Sequence, residues 1–461
     1  MSFIWIDKHK KFVKKSKESQ EILERLEEYL KNDKPVKILR NLWNDQSEAI
    51  TYHELRDALM DDSALEELLQ LWVQDYSVMV TNHFREVFEE AILAGAANEP
   101  ILQRIYEETD FKIDITKPHV LRMIDEKGSR LVTNLANAQR NAINSLLTDK
   151  ILNKHSVDEL AHFIRPCIGL TTPQIQATRK LYEHIQETLL EDHPRMKREN
   201  AEKQARKAAI KYAEKQHRYR ADTIAISEMA ASYNEGAYEA IRQAQDEGLM
   251  GKVKKQWSTA RNGNDYVCKI CRSLEGVEIE MEEYFDFNGS KLFGPPAHPR
   301  CACAVKYIPV VLNQKDIGAI IKYISPDSYV LNDNLRNKIP LSDAQKQWAD
   351  DLDEALDKMP KYRGILNRSV YFYNEADLQK CIEKYKIGQT VIEDSYFSMT
   401  KNNVYNSEAQ LQFWINNSMN GRNIVMYNEA EGEIIYPRNS VFKVEYRALI
   451  DGVWHILLKE A

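Results

Sequence analysis

Long hydrophobic runs are missing from this sequence. Residues 1–13 contain one short apolar patch, Phe3 to Ile6, and lysines follow it at once. That patch is too short to span a bilayer and lacks the pattern of a signal peptide, and no other segment is a candidate span. We therefore expect a protein without a membrane partner, made and kept in a cytosol-like compartment.

Cysteine is also scarce, with six residues in a chain of 461. The cysteines are not spread along the chain as the framework of a disulfide-stabilised protein would be. One segment holds most of them: Cys268, Cys271, Cys301 and Cys303. In a reducing compartment such clustering favours a metal site over disulfide bonds.

A strong charge of one sign is absent, because the net charge is only −7. The bulk charge therefore does not indicate a nucleic-acid-binding protein. A hydrophobic fraction of 43% and a charged fraction of 29% exclude a disordered chain, and the length predicts two or three domains. One segment departs from this average, since Pro194 to Arg220 holds ten Lys or Arg against three Glu. It is either a solvated helix face or a contact for a phosphate backbone or an acidic partner.

Glycine and proline are few in the segments before residue 250 that carry helical periodicity. Apolar residues recur there at the spacing of one helical face in Glu18 to Leu30, Leu55 to Gln74, Val78 to Leu93 and Val120 to Leu147. Prolines such as Pro118 mark breaks, since proline disfavours helix at the residue before it. Residues 1–159 are therefore predicted to form a helical arm.

The composition of the sequence changes from Lys252 onward, where Gly, Pro, Cys and aromatic residues interrupt the helical periodicity. A new helical region is predicted from Asn313 to Lys322. After Tyr371, short segments rich in β-branched residues predict strands of a mixed or antiparallel sheet: Thr390–Ile392, Asn423–Tyr427, Glu433–Tyr436, Phe442–Tyr446 and Val453–Leu458. We therefore predict a multidomain α+β protein, with the helical arm (1–159), a compact cysteine-bearing module (160–312) and an α+β domain (313–461).

The cysteine-bearing module contains a possible metal site. Cys268 and Cys271 form a CxxC pair, and His298, Cys301 and Cys303 follow about 27 residues later. Thiolates and a neutral imidazole at this spacing can close a tetrahedral Zn²⁺ site, which would stabilise a loop-rich segment with little core. Reduced buried thiols and a redox dithiol are the alternatives. The predicted ligands are Cys268, Cys271, His298 and Cys301, and Cys303 is able to replace one of them.

Several motifs around this site resemble the Mu F-like head morphogenesis, or minor head protein, domain of phages. They are Ala221–Tyr238, Trp257–Ala260, Asp265–Cys271, Leu274–Gly276 and Pro295–Cys303, in the order that this family has. The resemblance covers roughly Leu160 to Val310. It implies a protein present in few copies in or on the virion, in the phage head near the portal, with portal and capsid proteins as partners. Packaged DNA is then a possible contact of residues 194–220.

Two elements of the C-terminal region have side chains suited to a nucleotide. Tyr362-Arg363-Gly364 offers a guanidinium that can clamp a diphosphate through parallel donors, and Gly364 lets backbone approach it. In Phe397-Ser398-Met399-Thr400, the hydroxyls of Ser398 and Thr400 share one strand face and can bond a ribose or hold a carboxylate. Each element alone is common on protein surfaces.

A third element, Glu431-Gly432-Glu433, directly precedes Ile434 and Ile435. Carboxylates at i and i+2 project to the same side of an extended chain. This arrangement suits displacement at an anomeric carbon through an oxocarbenium-like transition state. One carboxylate stabilises the positive ribose and the other orients or deprotonates the nucleophile, as in glycosidases.

Together and in this order, the three elements resemble the R-S-E class of mono-ADP-ribosyltransferases. The similarity includes the predicted helical segment that precedes these elements and contains Asp327–Arg336. It extends over nearly the whole of Gln314 to Ala461. It implies a fold with two packed mixed or antiparallel sheets and NAD⁺ as the substrate. It further implies that Arg363, with Gly364 beside it, holds the NAD⁺ phosphate.

The same resemblance assigns the remaining site residues. Ser398 would position the catalytic glutamate and the nicotinamide-ribose, with Thr400 as the second hydroxyl where the family usually has serine. Glu433 would be the catalytic glutamate, and Glu431 would face the acceptor. A Glu-x-Glu pair implies arginine as the acceptor in this family.

These features together predict a phage minor head protein fused to an arginine-type mono-ADP-ribosyltransferase. Such a protein is expected in the virion and, after delivery with the genome, in the host cytoplasm, where a host protein accepts the ADP-ribose. One alternative is a purely structural head protein with an inactive C-terminal domain. The other is an NAD⁺ glycohydrolase, in which water replaces the protein acceptor.

Overall fold

A computed structural model describes residues 15–153, 165–260, 268–402 and 408–461. Helices fill the first part: α1 (Lys17–Tyr29), α2 (Lys34–Ala49), α3 (Tyr52–Ala58), α4 (Asp62–Met79), α5 (Arg85–Ala97), α6 (Gln103–Glu108), α7 (Pro118–Asn153), α8 (Thr172–Asp192) and α9 (Arg198–Asp246). The predicted helical character of this half is confirmed. Within the described ranges, none of the helices has both the length and the apolar character needed to cross a membrane.

The predicted helix from Leu55 to Gln74 is divided in the structure. Helix α3 ends at Ala58, and α4 begins at Asp62. The side chain of Asp61 accepts a hydrogen bond from the Ser63 backbone N–H at 2.9 Å, so it caps a new helix. The capping preference of aspartate therefore overrides the continuous apolar pattern.

Residues 15–153 share apolar cores with the long helix α9. One core joins Leu55, Leu69 and Ala142 to Ile175 and Ala213, and a second joins Trp43 and Phe88 to Ala221. A helix of 49 residues offers one continuous face to several partners. The predicted boundary at residue 159 lies outside the described residues, and it stays a prediction.

The cysteine-bearing region is a small module next to the end of α9. Strands β1 (Val253–Ser258), β2 (Glu278–Glu280) and β5 (Ala304–Pro309) pair antiparallel in the order β2-β1-β5, and β3 (Phe285–Phe287) pairs with β4 (Ser290–Leu292). A short helix, α10 (Lys269–Leu274), packs beside them. The core is small, and three of its six buried residues are cysteines: Trp257, Leu274, Phe285, Cys271, Cys301 and Cys303.

The C-terminal domain begins with α11 (Gln314–Tyr323), α12 (Asp327–Arg336) and α13 (Asp343–Lys358), and α14 (Glu375–Lys384) follows the first strand. Its strands are β6 (Gly364–Val370), β7 (Thr390–Glu393), β8 (Phe397–Thr400), β9 (Leu411–Ser418), β10 (Arg422–Asn423), β11 (Glu433–Tyr436), β12 (Ser440–Ile450) and β13 (Val453–Glu460). Helices α11 and α13 form their own core with Ile435 of β11 and with Tyr396 and Ile424, which flank β8 and β10.

The eight strands form one mixed sheet in the order β10-β11-β8-β6-β9-β13-β12-β7, with β9 and β13 parallel. Only one residue pair, Asn367 with Thr400, joins β6 to β8, so the sheet consists of a three-stranded and a five-stranded part. Met399 and Ile434 of the first part share a core with Phe413 and Phe442 of the second. The two predicted packed sheets are thus present, and they are joined through the residues Asn367 and Thr400.

The predicted strand Asn423–Tyr427 is wrong beyond its first residue. Strand β10 ends at Asn423, whose side-chain oxygen accepts the Val425 N–H at 3.1 Å, and Tyr427 N–H bonds to the Ile424 carbonyl at 2.8 Å. These bonds form a local turn, which competes with a strand despite the β-branched residues. The turn leads directly into Glu431 and Glu433.

Candidate active site

Two adjacent strands bring the predicted serine and glutamate together. Strands β8 and β11 pair antiparallel, with Ser398 opposite Ile435 and Thr400 opposite Glu433. The β-branched Ile434 and Ile435 are fully buried and fix β11 in this register. The Ser398 hydroxyl consequently donates a hydrogen bond to Glu433 Oε1 at 2.6 Å.

Glu433 is a buried carboxylate with partners on both oxygens. Its side chain is 5% exposed, and Oε2 accepts a hydrogen bond from Asn428 Nδ2 at 2.8 Å. Burial raises the pKa of Glu433 above its usual value, and the Glu431 charge adds to this. The bonds from Ser398 and Asn428 and the charge of Arg368 act in the opposite direction. The result is a desolvated carboxylate held in one orientation.

Glu431 is exposed, in contrast to Glu433, although only Gly432 separates them. Gly432 has a φ of +56°, and a Cβ there would lie 2.7 Å from the Asn402 side chain. Glycine therefore permits a turn that other residues would strain. The Glu431 Oε2 atom accepts a bond from Asn428 Nδ2 at 3.1 Å, so one amide contacts both carboxylates.

The hydroxyl of Thr400, predicted to contact the nucleotide, has two hydrogen-bond partners within the protein. It is 5% exposed, and its Oγ1 donates to the Glu431 carbonyl oxygen at 2.6 Å while accepting from Asn402 N at 2.9 Å. Both bonds hold the turn that carries Glu431. Thr400 therefore stabilises the backbone on which Glu431 lies.

The predicted phosphate clamp, Arg363, is not beside the Ser398–Glu433 pair. Its guanidinium donates to the carbonyl oxygen of Asp246 at the end of α9, and its Nη2 lies 3.7 Å from Asp246 Oδ1. Gly364 has a φ of +144°, and a Cβ there would lie 2.8 Å from the Tyr362 hydroxyl. The glycine thus leaves room for the Tyr362 side chain. Sequence alone could not reveal this long-range contact.

A different arginine of the same strand, Arg368, borders the pair. It follows Asn367, which is opposite Thr400, and its Nη1 donates to the Ser398 carbonyl oxygen at 2.7 Å. Its guanidinium lies 5.1 Å from the centre of the Phe397 ring. The signal that sequence reasoning missed is a cation inside an otherwise strand-like segment, five residues after Arg363.

Helices α11 and α12 carry two further groups near the pair. Arg336 is exposed at the end of α12, and desolvation by surrounding protein, followed by the charge of Arg368, lowers its pKa. Burial raises the pKa of Tyr323 to about 12, and the Glu433 charge contributes to this rise. The Arg368 guanidinium thus affects both Arg336 and the buried Glu433 carboxylate.

The predicted zinc ligands lie together in the cysteine-bearing module. His298 Nε2 is 3.0 Å from Cys268 Sγ and 3.4 Å from Cys271 Sγ, and Cys271 Sγ is 3.7 Å from Cys301 Sγ. Cys303 belongs to the same cluster, because its sulfur lies within 4.8 Å of those of Cys271 and Cys301. All the cysteines in the cluster are free thiols.

The hydrogen bonds around this cluster fit a metal site. His298 Nδ1 lies 2.9 Å from the Pro299 carbonyl oxygen, which can only accept, so Nδ1 carries the proton. The lone pair of Nε2 therefore faces Cys268 and Cys271, as in a histidine that binds zinc. Cys303 Sγ accepts from Ala260 N–H at 3.4 Å, so it already has a backbone partner.

The basic segment 194–220 begins outside helix and continues into α9 at Arg198. Alanines at every fourth position are buried, namely Ala201, Ala205, Ala209 and Ala213. Lysines with the same spacing are exposed, namely Lys203, Lys207, Lys211 and Lys215. The structure therefore separates an apolar face from a basic ridge, as the helical interpretation predicts.

Residues 182–306 match the sequence model of the family described as Phage Mu protein F like protein. The chain is also similar to the NAD(+)–protein-arginine ADP-ribosyltransferase Tre1 of Serratia proteamaculans (strain 568), with 26% identity over 151 residues. That alignment covers 32% of this chain and 33% of the relative, so the chain spans about a third of the length of the curated relative that it matches.

Solved structures of similar proteins include Exoenzyme S from Pseudomonas aeruginosa, at 19% identity and a TM-score of 0.29 over 32% of this chain and 74% of that one. The C3 exoenzyme of Clostridium limosum has 16% identity and a TM-score of 0.29, over 32% and 87% of the two chains. The chain therefore combines a region that matches the Phage Mu protein F like family with sequence similarity to an ADP-ribosyltransferase.

Proposed function

We propose that the C-terminal domain, residues 313–461, transfers ADP-ribose from NAD⁺ to an arginine of a host protein. The observation that carries this proposal is the buried Glu433 carboxylate, held by Ser398 at 2.6 Å and accompanied by the exposed Glu431. A desolvated carboxylate of fixed orientation suits the stabilisation of a positive ribose. The sequence similarity to an arginine-specific transferase supports the same chemistry.

In the proposed reaction, the bond between ribose C1 and nicotinamide breaks, and nicotinamide leaves with the electron pair. The Glu433 carboxylate faces the positive charge that develops on the ribose. A guanidine nitrogen of the acceptor then forms the new bond to C1 and loses a proton. Glu431, exposed and two residues away, is the group proposed to orient this nitrogen and accept that proton.

The NAD⁺ diphosphate is proposed to bind to Arg368 and Arg336. The Arg368 charge helps to lower the pKa of Arg336 and opposes the rise in the pKa of Glu433, so Arg368 lies close to both groups. An anion between two guanidinium groups would relieve their repulsion. This assignment replaces the one that the sequence pattern gave to Arg363.

A pair of matched variants tests the replacement. Arg368→Lys should raise the KM for NAD⁺ by roughly 10-fold or more, because an ammonium loses the bidentate geometry. Arg363→Lys should leave the KM for NAD⁺ close to that of the wild type, since Arg363 contacts Asp246. Both are measured as nicotinamide release from labelled NAD⁺. A larger effect of Arg363→Lys than of Arg368→Lys would restore the original assignment.

Glu431 distinguishes transfer from hydrolysis. If Glu431 serves the acceptor, Glu431→Gln should abolish modification of protein in a bacterial lysate while slow release of nicotinamide continues. The two activities are measured side by side, with modified residues located by mass spectrometry. Equal loss of both would mean that Glu431 acts on NAD⁺ itself, and the arginine acceptor would have to be given up.

The rest of the chain is proposed to act as a phage minor head protein, with residues 160–312 as the head module and residues 1–159 as its helical arm. The match to the Phage Mu protein F like family over residues 182–306 supports this. Portal and capsid proteins are then the expected partners, the virion is the first location, and the host cytoplasm follows after delivery. The exposed lysines of α9 are the proposed contact for packaged DNA.

The cysteine cluster is proposed to hold one structural Zn²⁺. Cys268, Cys271, His298 and Cys301 are the preferred ligands, because the hydrogen bond at His298 Nδ1 leaves Nε2 for a metal. Cys303 is the reserve ligand, since its sulfur lies within 4.8 Å of those of Cys271 and Cys301. The metal would stabilise a core that consists largely of thiols.

A further inference from the structure

One residue outside the predicted motif contacts both carboxylates of the candidate active site. Asn428 Nδ2 lies 2.8 Å from Glu433 Oε2 and 3.1 Å from Glu431 Oε2. A side-chain amide nitrogen carries two hydrogens, which is the number needed for one bond to each carboxylate. The amide oxygen cannot take this place, because a carboxylate offers it no hydrogen. The geometry therefore determines the orientation of the amide.

The main chain holds Asn428 in this place. Its N–H donates to the Ile424 and Val425 carbonyl oxygens at 3.3 and 3.1 Å, and its own carbonyl oxygen accepts from Gly432 N–H at 3.1 Å. Asn428 thus lies inside a hydrogen-bonded turn that ends at the Glu-x-Glu pair. The side chain is half-buried, so water competes with these bonds only in part.

The carboxylates of Glu431 and Glu433, which share the Asn428 amide, repel each other. The Glu431 charge therefore favours protonation of Glu433. A lysine or arginine between them would remove the repulsion but would also cancel the negative charge that the ribose requires. A neutral donor of two hydrogen bonds orients both groups and leaves both charges in place. An asparagine at this position has these properties.

We propose that Asn428 is a positioning residue that holds Glu431 and Glu433 together as one charged pair, so that cleavage of NAD⁺ and attack by the acceptor occur in a single arrangement. This inference rests on the proposed transferase function. It predicts that Asn428 affects kcat and its pH dependence more than the KM for NAD⁺, because its side chain contacts the two carboxylates.

Two substitutions of Asn428 in the full chain test this role. Asn428→Ala should lower kcat for transfer about 10- to 100-fold, the range for lost hydrogen bonds to charged groups, and move the acid limb of the pH profile to higher pH. Asn428→Asp keeps the shape of the side chain but adds a third carboxylate. The acid limb of its pH profile should therefore move to higher pH than in Asn428→Ala, and its kcat should be lower. Asn402→Ala is the matched control, since Asn402 packs against the same turn but bonds to the Ala430 carbonyl oxygen. Its acid limb should stay in place.

A second measurement keeps this test separate from the proposed activity. The carboxyl ¹³C signal of Glu433, identified by its loss in Glu433→Gln, should titrate at higher pH in Asn428→Ala than in the wild type. If the wild type releases no nicotinamide but this shift occurs, the transferase proposal fails and the positioning role stands. If the wild type is active and neither the pH limb nor the ¹³C titration moves, the role of Asn428 is overturned.

Discussion

Glu433→Gln is expected to lower the rate of ADP-ribose transfer roughly 10²- to 10⁴-fold or more. The substitution keeps the size of the side chain and its place opposite Thr400 on β11. It removes the negative charge that would face the positive ribose in the transition state. Transfer is measured with labelled NAD⁺ and host lysate. Near-normal activity of the folded variant would remove Glu433 from the mechanism.

The same variant should remain folded, and the direction of its stability change can be stated. Burial raises the pKa of Glu433 in the folded protein, so the folded state holds its proton more tightly than the unfolded state does. Wild-type stability therefore falls as pH rises from the unfolded pKa through the folded one. A neutral glutamine does not carry the cost of burying a charge. At neutral pH the unfolding temperature of Glu433→Gln should therefore equal or exceed that of the wild type.

Glu429→Gln provides the matched control for the loss of charge. Glu429 lies in the same turn, four residues before Glu433, and its side chain is exposed. Removing its charge should change the transfer rate little, because an exposed charge acts weakly through solvent. A large loss in Glu429→Gln would mean that the overall charge of the turn, and not the Glu433 carboxylate, governs activity.

Ser398 and Glu433 could be predicted from sequence because short-range patterns determine where they lie. Alternation on β8 puts Ser398 on one face, and the buried Ile434 and Ile435 fix the register of β11 beside it. Their 2.6 Å contact then follows from the pairing of two short strands. Strands β7, β11, β12 and β13 were predictable for the same reason, since they contain β-branched segments, whereas β9 was not predicted and the predicted strand Asn423–Tyr427 is a turn beyond Asn423.

The two arginines show where such reasoning fails. Arg363 and Arg368 lie five residues apart, and both fit a strand with a basic residue. The difference between them arises from one residue pair, Asn367 with Thr400, and from a contact of Arg363 with Asp246, 117 positions earlier in the chain. No local pattern encodes either. Asn428 escaped prediction because its role depends on a turn in which side-chain bonds replaced a predicted strand.

The middle module should lose most of its stability when its proposed metal is removed. The purified protein is expected to contain about one equivalent of zinc, and Cys271→Ser to contain almost none. Cys271 is chosen because it belongs to both overlapping groups of candidate ligands. Structural zinc binds zinc-finger peptides with about 10–16 kcal/mol, far above the 0.5–3 kcal/mol that ordinary substitutions cost. Metal analysis and proteolysis of residues 253–309 measure the two effects.

Cys381→Ser is the control for this prediction, because Cys381 is a half-buried thiol of α14 in the C-terminal domain. It should keep the zinc. Absence of zinc from fresh, reduced wild-type protein would instead favour plain buried thiols. Transferase activity should survive in Cys271→Ser, since the buried residues of the C-terminal cores, within the described ranges, include none from β1–β5 or α10. The described contacts between the two include Lys252 Nζ with Asp357 Oδ2 at 2.6 Å, the bond from the Lys252 N–H to the Lys358 carbonyl oxygen at 3.2 Å, and Arg363 with Asp246. Loss of transfer together with the zinc would mean that these polar contacts transmit the state of the metal site to Glu433, and the catalytic domain would then not be an independent unit.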